Sequence, residues 1–111
     1  MITASKTDVL QGTLDLLILK TLSWGPMHGY AVARWVRETT GDDIRVEEGA
    51  LYTALHRMEK RGWVGAEWGL SDNNRKAKFY ELTALGRRQL RAESARWTSY
   101  ARAMFKILQT A

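Results

Sequence analysis

Apolar residues recur at helical spacing in four stretches of the chain and alternate with polar residues in three others. The first predicted helix covers residues 8–23, with Leu14 and Ile18 on one face and Leu19 on the opposite side. Since a helix that is apolar on most sides is buried on most sides, we expect a second subunit to pack on it. Residues 1–7 have no such pattern and are predicted to form a flexible lead.

The second predicted helix covers residues 28–39, where Val32 and Val36 form a narrow apolar stripe. A loop follows, and the alternation in 44–46 predicts a three-residue strand. The adjacent Glu47 and Glu48 suit the positive end of a helix dipole, so the third helix is expected to begin there.

The third helix extends to Gly62 and has two different faces. Leu51, Leu55 and Met58 lie on the apolar face. Tyr52 is on the flank. The opposite face carries Gly49, Thr53, His56, Arg57 and Lys60.

Two alternating segments, 63–69 and 77–82, predict paired strands after this helix. Residues 71–74 between them have the composition of a turn, and Trp63 and Trp68 are expected to pack in the core or at the base of the hairpin. Three cations lie at or beside the hairpin tip: Arg75, Lys76 and Lys78. A short basic helix followed by a β-hairpin is the element order of a winged helix.

The last predicted helix covers residues 84–108 and can be capped by Thr83. Leu90, Trp97 and Met104 are spaced seven residues apart, which is typical of helix–helix packing. At about 1.5 Å per residue this helix is roughly 37 Å long, more than the rest of the chain needs to cover its core. We therefore expect it to pack on a second subunit, most simply by two-fold symmetry.

The composition and the motifs restrict the classes of function that the sequence allows. The 111 residues carry a net charge of +5 with a pI of about 9.8, which favours a polyanionic partner. The absence of cysteine fits the cytoplasm and excludes thiol catalysis. No nucleophile–base pair or phosphate loop is present, and His28 and His56 lie on different elements, so neither an enzyme, a metal site nor a cofactor is expected. The chain also has no apolar run long enough for a membrane span.

Several motifs occur in an order that resembles the PadR family of bacterial transcriptional regulators, over about residues 8–108. They are Leu10–Leu22 (LQGTLDLLILKTL), Gly25–Tyr30 (GPMHGY), Gly49–Glu59 (GALYTALHRME), Arg61–Trp63 (RGW), Glu67–Gly69 (EWG) and Ala77–Gly86 (AKFYELTALG). The resemblance implies a mainly α fold with a small β-hairpin (α+β), a winged helix-turn-helix with a long C-terminal dimerisation helix. It also implies a homodimer that represses a nearby operon. The expected division is a lead at 1–7, a DNA-binding domain at 8–82 and a dimerisation helix at 83–111.

The third helix is then expected to enter the major groove while the wing contacts phosphate or the minor groove. Tyr52 matches a family tyrosine that typically reaches the DNA backbone. The predicted DNA-binding residues are Tyr52, Thr53, His56, Arg57, Lys60, Arg75, Lys76 and Lys78. The predicted dimer interface comprises Leu14, Ile18, Leu90, Trp97, Ala101, Met104 and Leu108.

The resemblance also bears on an effector. Some short members hold a flat aromatic ligand at a tryptophan-lined dimer interface, and Trp97 falls where that tryptophan would be. Trp97 and Met104 could thus bind a small aromatic or hydrophobic effector, with Trp35 or Phe105 nearby, or could form a plain dimer seam. Two other functions stay open, a winged-helix protein-interaction module without specific DNA binding and an RNA-binding winged helix.

Overall fold

The computed structural model describes residues 6–111, with side chains from Thr13 onward. Four α-helices and three short strands follow one another along the chain. In order they are α1 (Lys6–Leu22), β1 (Met27–His28), α2 (Gly29–Thr39), α3 (Glu48–Lys60), β2 (Val64–Leu70), β3 (Lys76–Leu82) and α4 (Ala84–Leu108). The mainly α fold with a small β-hairpin is confirmed. Residues 1–5 of the predicted lead lie outside the described residues, and α1 begins two residues earlier than predicted.

The strands form one antiparallel sheet in the order β1-β3-β2. Val64 pairs with Leu82 at the base of the hairpin, and Leu70 pairs with Lys76 near its tip. The tip closes because the amide of Asn74, which has a positive φ, donates to the carbonyl of Ser71 at 2.8 Å. The turn chemistry expected at 71–74 is therefore confirmed.

One predicted strand was wrong, and one strand was missed. Residues 44–46 have no strand partner, and the chain there is extended loop anchored by the Ile44 amide, which donates to the Thr40 hydroxyl at 3.0 Å. The sheet instead gains β1, whose Met27 pairs with Tyr80 and whose His28 pairs with Phe79. A two-residue strand is too short to show an alternating pattern.

The core lies where α1, α2 and α3 meet the base of the sheet. Its buried members are Leu14, Ile18, Leu19, Leu22, Val32, Leu51, Ala54, Leu55, Met58, Val64, Tyr80 and Leu82. Trp63 is half-buried against this cluster, as predicted. The hairpin of β2 and β3, called the wing below, and the outer face of α3 both extend from this core. The core therefore fixes where they begin.

The burial of α1 requires a correction to the predicted dimer interface. Ile18 is 1% exposed and Leu14 is 8% exposed within a single chain. Both side chains pack against other elements of their own subunit, so their burial does not require a second copy of the chain. Helical periodicity shows that a face is buried but does not show which chain buries it.

The start of α4 is fixed to the end of α3. The Thr83 hydroxyl accepts a hydrogen bond from the Gly86 amide at 3.0 Å and donates to the carbonyl of Gly62 at 2.6 Å. The backbone of Gly86 passes so close to that of Trp63 that a Cβ added at Gly86 would lie 2.0 Å from the Trp63 carbonyl oxygen. The predicted cap is confirmed, and α4 leaves the domain in a defined direction. No helix within residues 6–111 is long and apolar enough to cross a membrane.

Candidate nucleic-acid interface

A cleft of about 780 Å³ lies between the wing, the start of α2 and the flank of α3. Its lining combines aromatic rings with cations. The aromatic members are His28, Tyr30, Tyr52, Trp68 and Tyr80, and the cationic members are Arg34, Arg75, Lys76 and Lys78. One carboxylate, that of Asp72, also lines it. A basic groove with exposed rings suits a polyanion that also has apolar surface.

Tyr52 connects α3 to the start of α2. Its ring packs on the backbone of Gly29, where an added Cβ would lie 2.6 Å from the Tyr52 ring carbon Cε1. Burial, followed by the carboxylate of Glu48, raises the pKa of Tyr52 above its ordinary value. The phenol is therefore held in its neutral form, which can donate a hydrogen bond to a phosphate oxygen.

His28 has a structural role here. Its Nδ1 accepts a hydrogen bond from the Ala31 amide at 3.2 Å and so caps α2. Its ring also meets Phe79 edge-on at 5.5 Å. His28 therefore belongs to β1 and precedes α2, which begins one residue later than predicted. Among the residues that the structure describes, no three His, Cys, Asp or Glu side chains are grouped to hold a metal ion.

The outward face of α3 carries Thr53, His56 and Lys60, all exposed. Gly49 begins this face, and a Cβ there would meet only the Glu47 side chain, at 3.4 Å. The space beside Gly49 is thus nearly open. These side chains stand together on one side of the helix and are free to meet a ligand.

Arg57 points away from that face, toward α1. Its guanidinium forms a hydrogen-bonded ion pair with Asp15, and both side chains are partly buried. Asp15 therefore has its partner within the same chain. The pair ties α3 to α1, and Arg57 is less available to a phosphate than Lys60 is.

Lys78 is also engaged within the chain. Its ammonium donates to Glu59 Oε1 at 3.0 Å and lies 5.5 Å from the centre of the Tyr80 ring. The hydrogen bond to Glu59 raises the pKa of Lys78 above its ordinary value. Lys78 thus braces the wing against α3, while Arg75 and Lys76 remain exposed near the tip.

The structure brings Tyr52, Arg75, Lys76 and Lys78 to one cleft, and Thr53, His56 and Lys60 are exposed on the helix that carries Tyr52. Sequence reasoning missed Tyr30 and Arg34, which lie on the exposed side of α2 with the guanidinium 5.7 Å from the ring centre. Their four-residue spacing places both on one side of a helix, and this was the sequence signal that could have identified them. The expectation for Trp68 was wrong, because its side chain is exposed on the wing and lines the cleft.

On α4, the remaining predicted dimer residues lie outside the core. Leu90 is half-buried against the domain, whereas Trp97 is 45% exposed and Met104 and Leu108 are exposed beyond it. Tyr100, Phe105 and Ile107 add to this apolar surface.

Known proteins share this architecture. A sequence model described as the transcriptional regulator PadR-like family matches residues 18–92. The chain belongs to the PadR-like family of transcriptional regulators.

Solved structures agree with this assignment. A transcriptional regulator from Clostridium thermocellum is 25% identical, with a TM-score of 0.83 over 92% of this chain and 99% of that one. A PadR family regulator from Eggerthella lenta is 30% identical, with a TM-score of 0.78 over 94% of this chain and 88% of that one. A PadR-like regulator from Bacillus cereus is 26% identical, with a TM-score of 0.80 over 94% of this chain and 99% of that one. The winged-helix interpretation of the PadR-like chain is therefore confirmed.

Proposed function

We propose that this regulator is a repressor that binds a roughly palindromic DNA operator as a homodimer. In each subunit α3 enters a major groove and the wing reaches the adjacent backbone and minor groove. A small aromatic or hydrophobic effector held between the α4 helices releases the DNA.

The observation that carries the proposal is the exposed face of α3 beside a basic cleft. Thr53, His56 and Lys60 offer hydrogen-bonding groups at the surface of a helix, and a helix of this size fits the major groove. Across the cleft, Arg75 and Lys76 supply charge for phosphates. A protein-docking module has no need of cations on both the helix and the wing.

The dimer is supported by the exposed apolar residues of α4. Trp97 and Met104 lie seven positions apart on one side, and Leu108 follows four positions later. Large exposed apolar patches on a small chain mark interaction surfaces. A self-complementary contact along α4 buries this stripe and relates the two α3 helices by a two-fold axis, as an operator palindrome requires.

The effector proposal rests on Trp97. An indole with an apolar thioether one heptad away suits a flat hydrophobic ligand. Because α4 begins directly against the end of α3, a change in packing between the two α4 helices alters the separation of the two α3 helices.

The test is a titration of the purified protein against the DNA upstream of its own gene at several salt concentrations. Scrambled DNA of the same length is the control. We expect selective binding by a dimer that weakens steeply with salt, and a footprint whose half-sites are about one helical turn apart.

Equal and weak binding to both DNAs would contradict an operator in that segment. Failure to bind at low salt would favour the protein-docking module. Tighter binding of a monomer to RNA than to the duplex would favour the RNA-binding alternative.

A further inference from the structure

Trp68 is a large apolar side chain that the fold leaves in solvent. It lies on β2 and is 61% exposed. Burying an indole stabilises a protein substantially, so its exposure at a functional cleft indicates a use other than folding.

The strand register fixes where Trp68 points. Successive side chains of a strand alternate between faces, so Ala66, Trp68 and Leu70 share one face of the hairpin. On β3, Lys78 lies opposite Trp68 and Lys76 lies opposite Leu70. Trp68 therefore shares its face with the lysines that line the cleft.

On this face, the apolar side chains of Trp68 and Leu70 lie among cationic side chains. The Lys76 ammonium lies 5.4 Å from the centre of the Trp68 indole, and Leu70 is exposed next to it. Arg75 follows at the turn, and Arg34 faces the same cleft from α2. The charge selects a polyanion, and the indole and Leu70 require that the polyanion also present apolar groups. Duplex DNA has both, since deoxyribose walls line its minor groove between the phosphates.

We propose that Trp68 makes a direct apolar contact with duplex DNA from the wing. Its indole packs against the deoxyribose edge of the minor groove, and Lys76 and Arg75 hold the flanking phosphates. Leu70 extends the same contact toward the tip. This inference rests on the proposed DNA-binding function and adds a contact that is not electrostatic.

The contact has a signature that separates it from the phosphate contacts. Losing a phosphate contact lowers the steepness with which affinity falls with salt, because fewer counterions are released. Losing an apolar contact lowers affinity at every salt concentration and leaves that steepness unchanged.

The chain offers a matched control in Trp24. Its side chain is 67% exposed and the Lys20 ammonium lies 5.4 Å from its ring centre, so its exposure and its lysine contact are similar to those of Trp68. Trp24 lies in the turn between α1 and β1, outside the set of residues that line the cleft. Replacing it removes an indole of the same exposure from another part of the surface.

The experiment measures affinity for the selected DNA across a salt series for the wild type, Trp68→Ala, Trp68→Phe, Leu70→Ala and Trp24→Ala. Thermal unfolding of each variant establishes that it is folded. We expect Trp68→Ala to bind about a hundredfold more weakly at each salt concentration with an unchanged salt dependence, since one stacked or wedged ring contributes about tenfold and the dimer loses two. Trp68→Phe should retain most of the affinity, Leu70→Ala should lose about threefold, and Trp24→Ala should match the wild type.

Wild-type affinity in folded Trp68→Ala and Leu70→Ala would overturn this inference and leave the proposed function standing. A loss in Trp68→Ala together with a flatter salt dependence would also overturn it, because the indole would then act only by placing Lys76. Absence of selective binding by the wild type would instead refute the proposed function, and the inference with it.

Discussion

The basic side chains of α3 and of the wing differ in how free they are to bind a ligand. Arg57 and Lys78 are held by Asp15 and Glu59, so part of their charge is already neutralised within the chain. Arg75 has an exposed side chain at the turn of the wing. We therefore expect the tip of the wing to make its main electrostatic contribution to DNA binding. The base of the wing, through Lys78, instead holds the wing against α3.

Replacing Arg75 by Ala should weaken binding to all DNA sequences by a similar factor. Since each subunit of the dimer loses one phosphate contact, the slope of log affinity against log salt should fall by about two units. The measurement is a salt titration with selected and scrambled DNA. An unchanged slope would contradict a phosphate contact at Arg75.

The Lys78–Glu59 pair should make stability depend on pH at the alkaline end. The pKa of Lys78 is raised in the folded protein above its ordinary value of 10.5, so the pair stabilises the fold fully below the unfolded pKa. That contribution is lost as pH rises through the folded pKa.

Denaturant unfolding of the wild type and Glu59→Gln tests this. The difference in their free energies of unfolding should be constant at neutral pH and shrink toward zero as pH rises above the folded pKa of Lys78. Glu81→Gln, at an exposed position on β3, is the control and should show no such change. A Glu59→Gln difference that persists at the alkaline end would exclude the charge of Lys78 as its cause.

At the scale of the elements, the first turn of α4 fixes the position of this helix. Thr83 both caps α4 and donates a hydrogen bond to the Gly62 carbonyl at the end of α3. The Thr83 amide also donates a hydrogen bond to the Trp63 carbonyl oxygen at 3.1 Å. Thr83 therefore links the end of α3, the start of β2 and the start of α4.

Thr83→Ala should lower the free energy of unfolding by about 1 kcal/mol, the usual contribution of a helix cap, with a further loss from the Gly62 bond. Thr98→Ala removes the same atoms from an exposed position within α4 and should change stability by no more than about 0.5 kcal/mol. Equal stabilities of the two variants in urea unfolding would refute the role of the cap.

The elements also show what sequence reasoning can reach. The spacing of Leu51, Leu55 and Met58 predicted α3 and its buried face, and Thr83 predicted the start of α4. The alternation in β2 identified the face of Trp68 but not that the wing extends beyond the core, so the side chain was assigned to packing. Arg57 was assigned to DNA because its partner, Asp15, lies 42 positions away in the chain.

At the scale of the molecule, α4 gives the subunit an elongated shape of 55 × 28 × 21 Å. Its apolar stripe is predicted to meet the same stripe of a second copy. The distance between two α3 helices is then set by a long helix rather than by a flexible linker.

Trp97→Asp should shift the dimer to monomer, because a carboxylate buried in the α4 seam loses hydration without gaining a partner. Ser99→Asp adds the same charge about 200° around the helix and should leave the dimer intact. Sedimentation at several protein concentrations measures both. Dimers of equal stability in the two variants would remove Trp97 from the interface.

Strand β1 joins residues that are more than fifty positions apart, yet it is only two residues long. Few hydrogen bonds therefore hold the wing at its angle to α2, and they can open without unfolding the core. We therefore expect the angle between the wing and α2 to vary more readily than the packing of the core, which would let the proposed DNA contact adapt to minor grooves of different width. Amide hydrogens of β1 should accordingly exchange with deuterated solvent well before those of α3.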